Sequence, residues 1–344
     1  MKVLVLGGTG AIGVHLVQLL SSHGVEIFVT SRTGNRSEGK IHYILGNAQD
    51  NGFLQRILRK CKWDAIIDCL VYSTPVFKER VDILLGATAQ YVFLSSSRVY
   101  ADSNQPITET SPRLLDVSQD KEFLSTDEYS LAKARQEDIL RNSRCENWTI
   151  IRPYITYSEK RLQLGVFEKE EWLYRALHGR TIVFSSDISG RTTTLTHGFD
   201  VAKGIMAVIG NPKALRETFH LTTEVSVRWK NVFDIYLAVL EKHLGSKVKV
   251  LLDDLEDFQK CKPARQQIVY DRLYNRRFNN SKIAQYVDMS DFMKPEQGLA
   301  MCLEGFLKSP RFSPIDWKQE ALKDRRAGER TPLREINGSR QKFK

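Results

Sequence analysis

A glycine-rich turn directly behind the first strand candidate constrains this chain more than any other feature. Lys2–Leu6 is a short run dominated by β-branched and leucine residues, and Gly7-Gly8-Thr9-Gly10-Ala11-Ile12-Gly13 follows it without a gap. Ala11–His23 then reads as a helix with apolar residues at Ile12, Leu16, Leu19 and Leu20. Strand, glycine turn and helix in that order bring backbone close to a pyrophosphate and set its charge against the helix N-terminus. The seven residues from Gly7 to Gly13 are therefore the expected core of a dinucleotide site.

The rest of the first half supports the fold that such a turn requires. Val25–Thr30, Ile41–Leu45, Asp64–Asp68, Tyr91–Ser95 and Thr149–Arg152 are further strand candidates, separated by amphipathic stretches. This alternation predicts an α/β fold, a doubly wound parallel sheet covered by helices on both faces. Asp127–Asn142 reads as one of those helices, acidic at its start and ending in Arg141. Past Pro153 the pattern changes: Phe167–Leu177 predicts a helix and Thr181–Ser185 a strand. Asp200–Ile209, Thr218–Thr222 and Trp229–Leu244 then predict helix, strand and helix. The expected organisation is a dinucleotide-binding domain over 1–157, re-entered by about 196–223, with a smaller substrate-binding lobe from 158–195 and 224–310.

Bulk properties set the outer limits. The 344 residues suffice for a sizeable core. No apolar run approaches the roughly 18–20 residues of a membrane span. The start, Met1-Lys2-Val3-Leu4-Val5-Leu6, meets glycine before a signal-peptide apolar region develops, so a cytoplasmic location is expected. Cys61, Cys69, Cys145, Cys261 and Cys302 are odd in number and widely spaced, which argues against a disulfide framework and against a metal site. The net charge of +10 raises nucleic acid as a partner. Eleven basic against five acidic residues fall between Leu307 and Lys344, so the excess concentrates at the end. That composition predicts a solvated, flexible basic tail over 311–344 rather than a nucleic-acid-binding arm.

Two constellations carry the chemistry. After the second strand, where an acidic residue would accept the 2′-hydroxyl of NAD, the chain reads Ser31-Arg32-Thr33-Gly34-Asn35-Arg36. Hydroxyl and guanidinium groups suit a 2′-phosphate, so Ser31, Arg32 and Arg36 favour NADP, with NAD as the alternative. Asn47, Ala48 and Leu70, at the ends of the third and fourth strands, complete the expected cofactor contacts. The second constellation is Tyr129-Ser130-Leu131-Ala132-Lys133, a phenol and an ammonium one helical turn apart. A cation beside a phenol favours the phenolate and so tunes a general acid/base. About one such spacing arises by chance in a chain of this composition, so its weight comes from its place after the fifth strand.

Together with Val92-Phe93-Leu94-Ser95-Ser96-Ser97-Arg98-Val99-Tyr100, these motifs resemble the extended short-chain dehydrogenase/reductase superfamily. That superfamily holds the NAD-dependent sugar epimerases, dehydratases and keto-sugar reductases. The resemblance covers most of residues 1–310 and includes Ile151-Arg152-Pro153-Tyr154-Ile155-Thr156-Tyr157 and Thr196-His197-Gly198-Phe199-Asp200-Val201-Ala202. It implies a Rossmann sheet, Tyr129 as acid/base, Lys133 on the nicotinamide ribose and Ser96 on the reacting sugar oxygen, with His197 structural. It also implies a nucleotide-sugar substrate and a homodimer formed through the helix at Asp127–Asn142. Arg272, Arg276 and Arg277 fall in the region that grips the nucleotide diphosphate. Arg191 is a further candidate, although Thr193 stands where the family's arginine is expected. Ser97 and Arg98 replace the Asp-Glu pair of the 4,6-dehydratases, and the serine strand has no cysteine for proton abstraction at C3 or C5. What remains is hydride chemistry at one carbon: reduction of a keto-sugar, or 4-epimerisation with retained NAD. A non-catalytic dinucleotide sensor or RNA-binding relative is the reading from another class.

Overall fold

The first strand, β1 (Lys2–Leu6), buries Val3, Leu4, Val5 and Leu6 completely. An unbroken apolar run of this kind marks a strand covered on both faces. The computed structural model describes residues 1–34 and 36–336. In it β1 lies inside a seven-stranded sheet with β2 (Glu26–Ser31), β3 (Ile41–Leu45), β4 (Trp63–Asp68), β5 (Thr88–Leu94), β6 (Trp148–Pro153) and β7 (Glu217–Leu221). The spatial order is β7-β6-β5-β4-β1-β2-β3, and every pairing in this sheet is parallel. The chain winds outward from β1 to one side through β2 and β3, then returns to lay β4 on β1's other side. The strand order thus reverses between β1 and β4, and open α/β sheets bind their ligands at the carboxyl end of such a crevice.

Helices close both faces. On one, α1 (Gly13–Ser22) and the helix Gly198–Val208 share a core through Leu16, Val17, Val201 and Ile205. The other face packs Leu54, Phe77, Leu84 and Leu140 against Trp63, Tyr91 and Phe93. Leu140 belongs to α2 (Tyr129–Arg141), which starts two residues later than the acidic run suggests because Glu128 serves as its N-cap, accepting from Ser130 N–H at 2.7 Å.

A third core lies past the carboxyl ends of the strands. Ile182–Ser185 pairs in parallel with Val250–Asp253, and Trp229–Leu244 and Pro295–Lys308 pack beside them around Trp172, Phe184, Tyr236 and Phe258. Not all of 224–310 joins this lobe. Ile283, Met289 and Phe292 insert their apolar side chains into the core under α1, so this segment belongs to the sheet domain.

Composition misleads about the basic tail. Residues 311–336 are docked on the lobe, with a helix at Trp317–Ala327 capped by Asp316. The buried Arg175 guanidinium pairs with Glu320 and Asp324 at 2.9 and 2.8 Å and with Glu329 at 3.1 Å. Lys323 is fully buried, and Arg326 holds Asp253 through two contacts of 2.8 Å. Several of the charges that made the segment look solvated, those of Glu320, Asp324, Arg326 and Glu329, meet partners distant in sequence. The expected flexible tail from 337 to 344 lies outside the described residues. Among those residues no helix is long and apolar enough to cross a membrane.

Candidate active site

The glycine turn forms the first wall of the crevice. Gly7 has φ of 76°, a left-handed conformation, and a Cβ there would meet the Leu70 side chain at 2.7 Å. At Gly13 a Cβ would stand 2.5 Å from the Gly8 carbonyl carbon, so the turn lies bare against the helix start. The first turn of α1 carries no acidic residue and its N-cap, Ile12, makes no side-chain hydrogen bond. This is a cradle that a pyrophosphate fits, with backbone N–H groups and the helix dipole facing it. At the far end Ser31 closes β2, with Arg32 and Arg36 exposed beyond it. Ala48 is buried and its carbonyl, like that of Gln49, accepts from the buried Arg80, while Asn47 is exposed and its side chain accepts from Gln49 N–H.

Across the crevice a cavity of about 380 Å³ opens, lined by Leu70, Ser96, Tyr129 and Lys133 from the sheet domain. Ser95, Ser96 and Ser97 divide their tasks by direction along the extended strand end. Ser95 donates to the buried Glu137 at 2.5 Å, and Ser97 donates to the Arg152 carbonyl at 2.8 Å. Ser96 accepts the Arg98 N–H at 3.2 Å, which leaves its own O–H to donate into the cavity. Glu137 stays ionised in the interior: burial opposes its charge, but Arg152, at 2.6 Å, holds its carboxyl below the usual range.

Tyr129 and Lys133 occupy one face of α2, a turn apart. Tyr129 is half-buried, with the Arg98 guanidinium 5.1 Å from its ring centroid. Lys133 is buried and donates to the Leu94 carbonyl at 2.7 Å, with Phe93 below it. Burial pushes its ammonium down to about 8, against the pull of the Asp68 carboxylate. Asp68 ends β4 and accepts from Tyr72, Tyr91 and Leu70 N–H, yet its burial raises its pKa. Cys69 also lines the cavity; burial drives its thiol up to about 12, so it stays neutral.

The lobe supplies the opposite wall. Arg161, Gln163, Gln267 and Arg272 reach the same cavity. Arg272 sits on a π-helical turn, Ile268–Arg272, and donates to the Gly165 carbonyl at 2.8 Å. Its pKa falls to about 10, chiefly through burial, with Arg98 and Arg161 adding repulsion. The other expected diphosphate contacts are placed elsewhere. Arg276 is buried as a strut, bonded to Asp271 at 3.1 Å and to the Tyr100 and Ala101 carbonyls at 2.9 Å, so its donors are spent. Arg277 is exposed and donates to the Asn104 carbonyl, and Arg191 is exposed; neither lines the cavity. His197 packs its ring 5.2 Å from His15 and 5.4 Å from Tyr157, away from the cavity wall. Arg98 and Arg161 are the site residues that motif reading missed. Arg98 had a signal, its position two residues after Ser96; Arg161 reaches the cavity only because the lobe folds over it.

The family model described as the NAD dependent epimerase/dehydratase family matches residues 3–221 of the chain. The chain belongs to that family. The match takes in the glycine turn, the serine strand, α2 and β7, that is, every sheet-domain part of the cavity. Curated relatives are partial. A chloroplast stem-loop binding protein of 41 kDa b from Arabidopsis thaliana is 29% identical over 244 residues, covering 65% of this chain and 59% of that protein. A UDP-glucose 4-epimerase from Lactobacillus helveticus is 38% identical over 134 residues, covering 33% and 41%. The chain thus spans about half the length of the curated relatives it matches. Among solved structures, the Bordetella bronchiseptica enzyme WbmH in complex with NAD+ superposes with a TM-score of 0.70 at 15% identity, covering 90% of this chain and 99% of that one. A UDP-glucuronic acid 4-epimerase from Bacillus cereus, in complex with UDP-glucuronic acid and NAD, gives 0.65 at 16% identity with 90% and 99% coverage. At these identities the superpositions establish the fold alone, a Rossmann-like α/β sheet flanked by helices.

Proposed function

We propose that this member of the family moves a hydride between a nicotinamide dinucleotide and one carbon of a nucleotide-activated sugar, in its simplest form the reduction of a keto-sugar. The observation that carries the proposal is the convergence of Ser96, Tyr129 and Lys133 on one cavity at the switch point, with no Asp or Glu lining it among the described residues. Among those residues no carboxylic acid stands in the cavity to protonate a departing 6-hydroxyl, which counts against dehydration and favours transfer at a single carbon.

The residues divide the work. Gly7 to Gly13 hold the pyrophosphate, and the nicotinamide, when bound, supplies or takes the hydride. Tyr129 gives a proton to the sugar carbonyl oxygen, or takes one from the hydroxyl in the reverse direction. Ser96 donates its hydroxyl hydrogen to the same oxygen and fixes its position. Lys133 places a positive charge one turn from the phenol, favouring the phenolate, and reaches the nicotinamide ribose. Ser31, Arg32 and Arg36 favour NADP because a guanidinium pairs with a 2′-phosphate.

A second reading, 4-epimerisation with retained NAD, uses the same three residues and is favoured by the likeness to the Lactobacillus helveticus UDP-glucose 4-epimerase. The Arabidopsis relative is named for stem-loop binding, in line with the nucleic-acid-binding alternative; an intact Ser96, Tyr129 and Lys133 set favours chemistry instead. The reading includes a cytoplasmic location and a homodimer through α2. Titration of the purified protein with NADPH and NADH tests the proposal. Preferential uptake of NADPH supports the reductase, protein that arrives with bound NAD supports the epimerase, and failure to bind either dinucleotide overturns both.

A further inference from the structure

The charged side chains that line the cavity are all of one sign. Arg98, Lys133, Arg161 and Arg272 line it, and among the described residues no carboxylate does. The acids that pair with them, Glu128, Glu168 and Asp271, stand behind the wall. Sugar hydroxyls can accept from such a surface, but guanidinium donors gain most from an ionised acceptor. Arg161 and Arg272 extend from the lobe, where a nucleotide diphosphate brings its two charges. Lys133 serves the dinucleotide.

Arg98 is left over, and it comes from the sheet side. Its backbone N–H is tied to Ser96 Oγ at 3.2 Å, and its guanidinium lies 5.1 Å from the Tyr129 ring centroid. Glu128, which caps α2, accepts from Arg98 Nη2 at 2.6 Å and so fixes the guanidinium in place. Arg98 Nε is buried and has no hydrogen-bond acceptor, Asp271 being 3.8 Å away. That Nε is enclosed on the Asp271 side, while the Arg98 side chain as a whole lines the cavity next to the Tyr129 ring.

Resting on the nucleotide-sugar reading above, we propose that Arg98 recognises a carboxylate on the sugar close to the carbon that exchanges hydride, so that the substrate is an acidic nucleotide sugar of the uronate type. The chemistry is consistent with the missing acid. A sugar carrying a carboxylate at C6 has no 6-hydroxyl to expel, and the position where a dehydratase places its carboxylic acid is free to hold a cation.

The test is calorimetric titration of the dinucleotide-loaded protein with UDP-glucuronate and UDP-glucose, in the wild type, Arg98→Lys and Arg98→Met. The wild type binds UDP-glucuronate at least about tenfold more tightly than UDP-glucose, the margin of one charge-assisted hydrogen bond. Arg98→Lys keeps part of that ratio, and Arg98→Met brings it to within about threefold. Dinucleotide affinity of each variant reports whether it has folded, and the wild-type ratio stands without the variants. Equal affinity for the two sugars in the wild type, or a ratio that survives in Arg98→Met, overturns the role of Arg98 while the nucleotide-sugar reading stands. If neither sugar binds, both fall together.

Discussion

Lys133 carries its charge where burial resists it. The ammonium loses its proton as pH rises through about 8, two units or so below an ordinary lysine. If the cation supports Tyr129, hydride transfer declines across that pH range, and Asp68→Asn, which removes an opposing pull, moves the decline to lower pH. Stability runs the other way. Between about 8 and 10 the unfolded chain binds the proton and the folded one does not, so stability rises with pH there. Chemical denaturation across that window shows the rise in the wild type and its loss in Lys133→Met. Gly13→Ala makes a sharper structural demand, since its Cβ falls 2.5 Å from the Gly8 carbonyl carbon. A backbone that must shift costs about 1–3 kcal/mol, and dinucleotide affinity falls with it, read by thermal melting and NADPH titration. That Tyr129 and Lys133 share one helix face was legible from their spacing, whereas Ser96 was picked out only by the family resemblance. The place of Arg276 was not legible, because the carbonyls of Tyr100 and Ala101 that consume it lie some 175 residues away.

At the scale of elements, the docked helix Trp317–Ala327 is where composition and structure part. Its acids face Arg175, a side chain with no exposure to solvent. Ending the chain after Ser309 strips that guanidinium of Glu320, Asp324 and Glu329 together. Leaving a buried charge without its partners costs about 3–5 kcal/mol, so the shortened protein melts earlier, and Arg175→Leu within it recovers part of the loss. An unchanged melting temperature in the shortened chain counts against this account of the arm. The strands tell the opposite story. Lys2–Leu6 and Ile41–Leu45 were readable to the residue: the first, after Lys2, is an unbroken apolar run inside the parallel sheet, and the second, at the sheet's edge, is a short β-rich run bounded by turns. A helix held by ion pairs carries no such pattern, and a count of charges cannot tell a solvated acid from one aimed at a buried arginine.

For the molecule as a whole, the sheet's switch point places the glycine turn, the serine strand and α2 around one crevice, and the lobe adds the cations that face them. The sheet half of this site is carried by motifs that sit at the ends of successive strands; the lobe half depends on packing between distant segments, which is why Arg161 escaped notice. The central claim is that Tyr129 moves the proton that accompanies the hydride. Its most direct test loads the wild type and Tyr129→Phe with oxidised dinucleotide, adds UDP-hexoses, and follows the absorbance of reduced nicotinamide. The account predicts that both proteins bind the dinucleotide equally and that the variant exchanges hydride at least about a hundredfold more slowly. A variant that keeps pace with the wild type contradicts it.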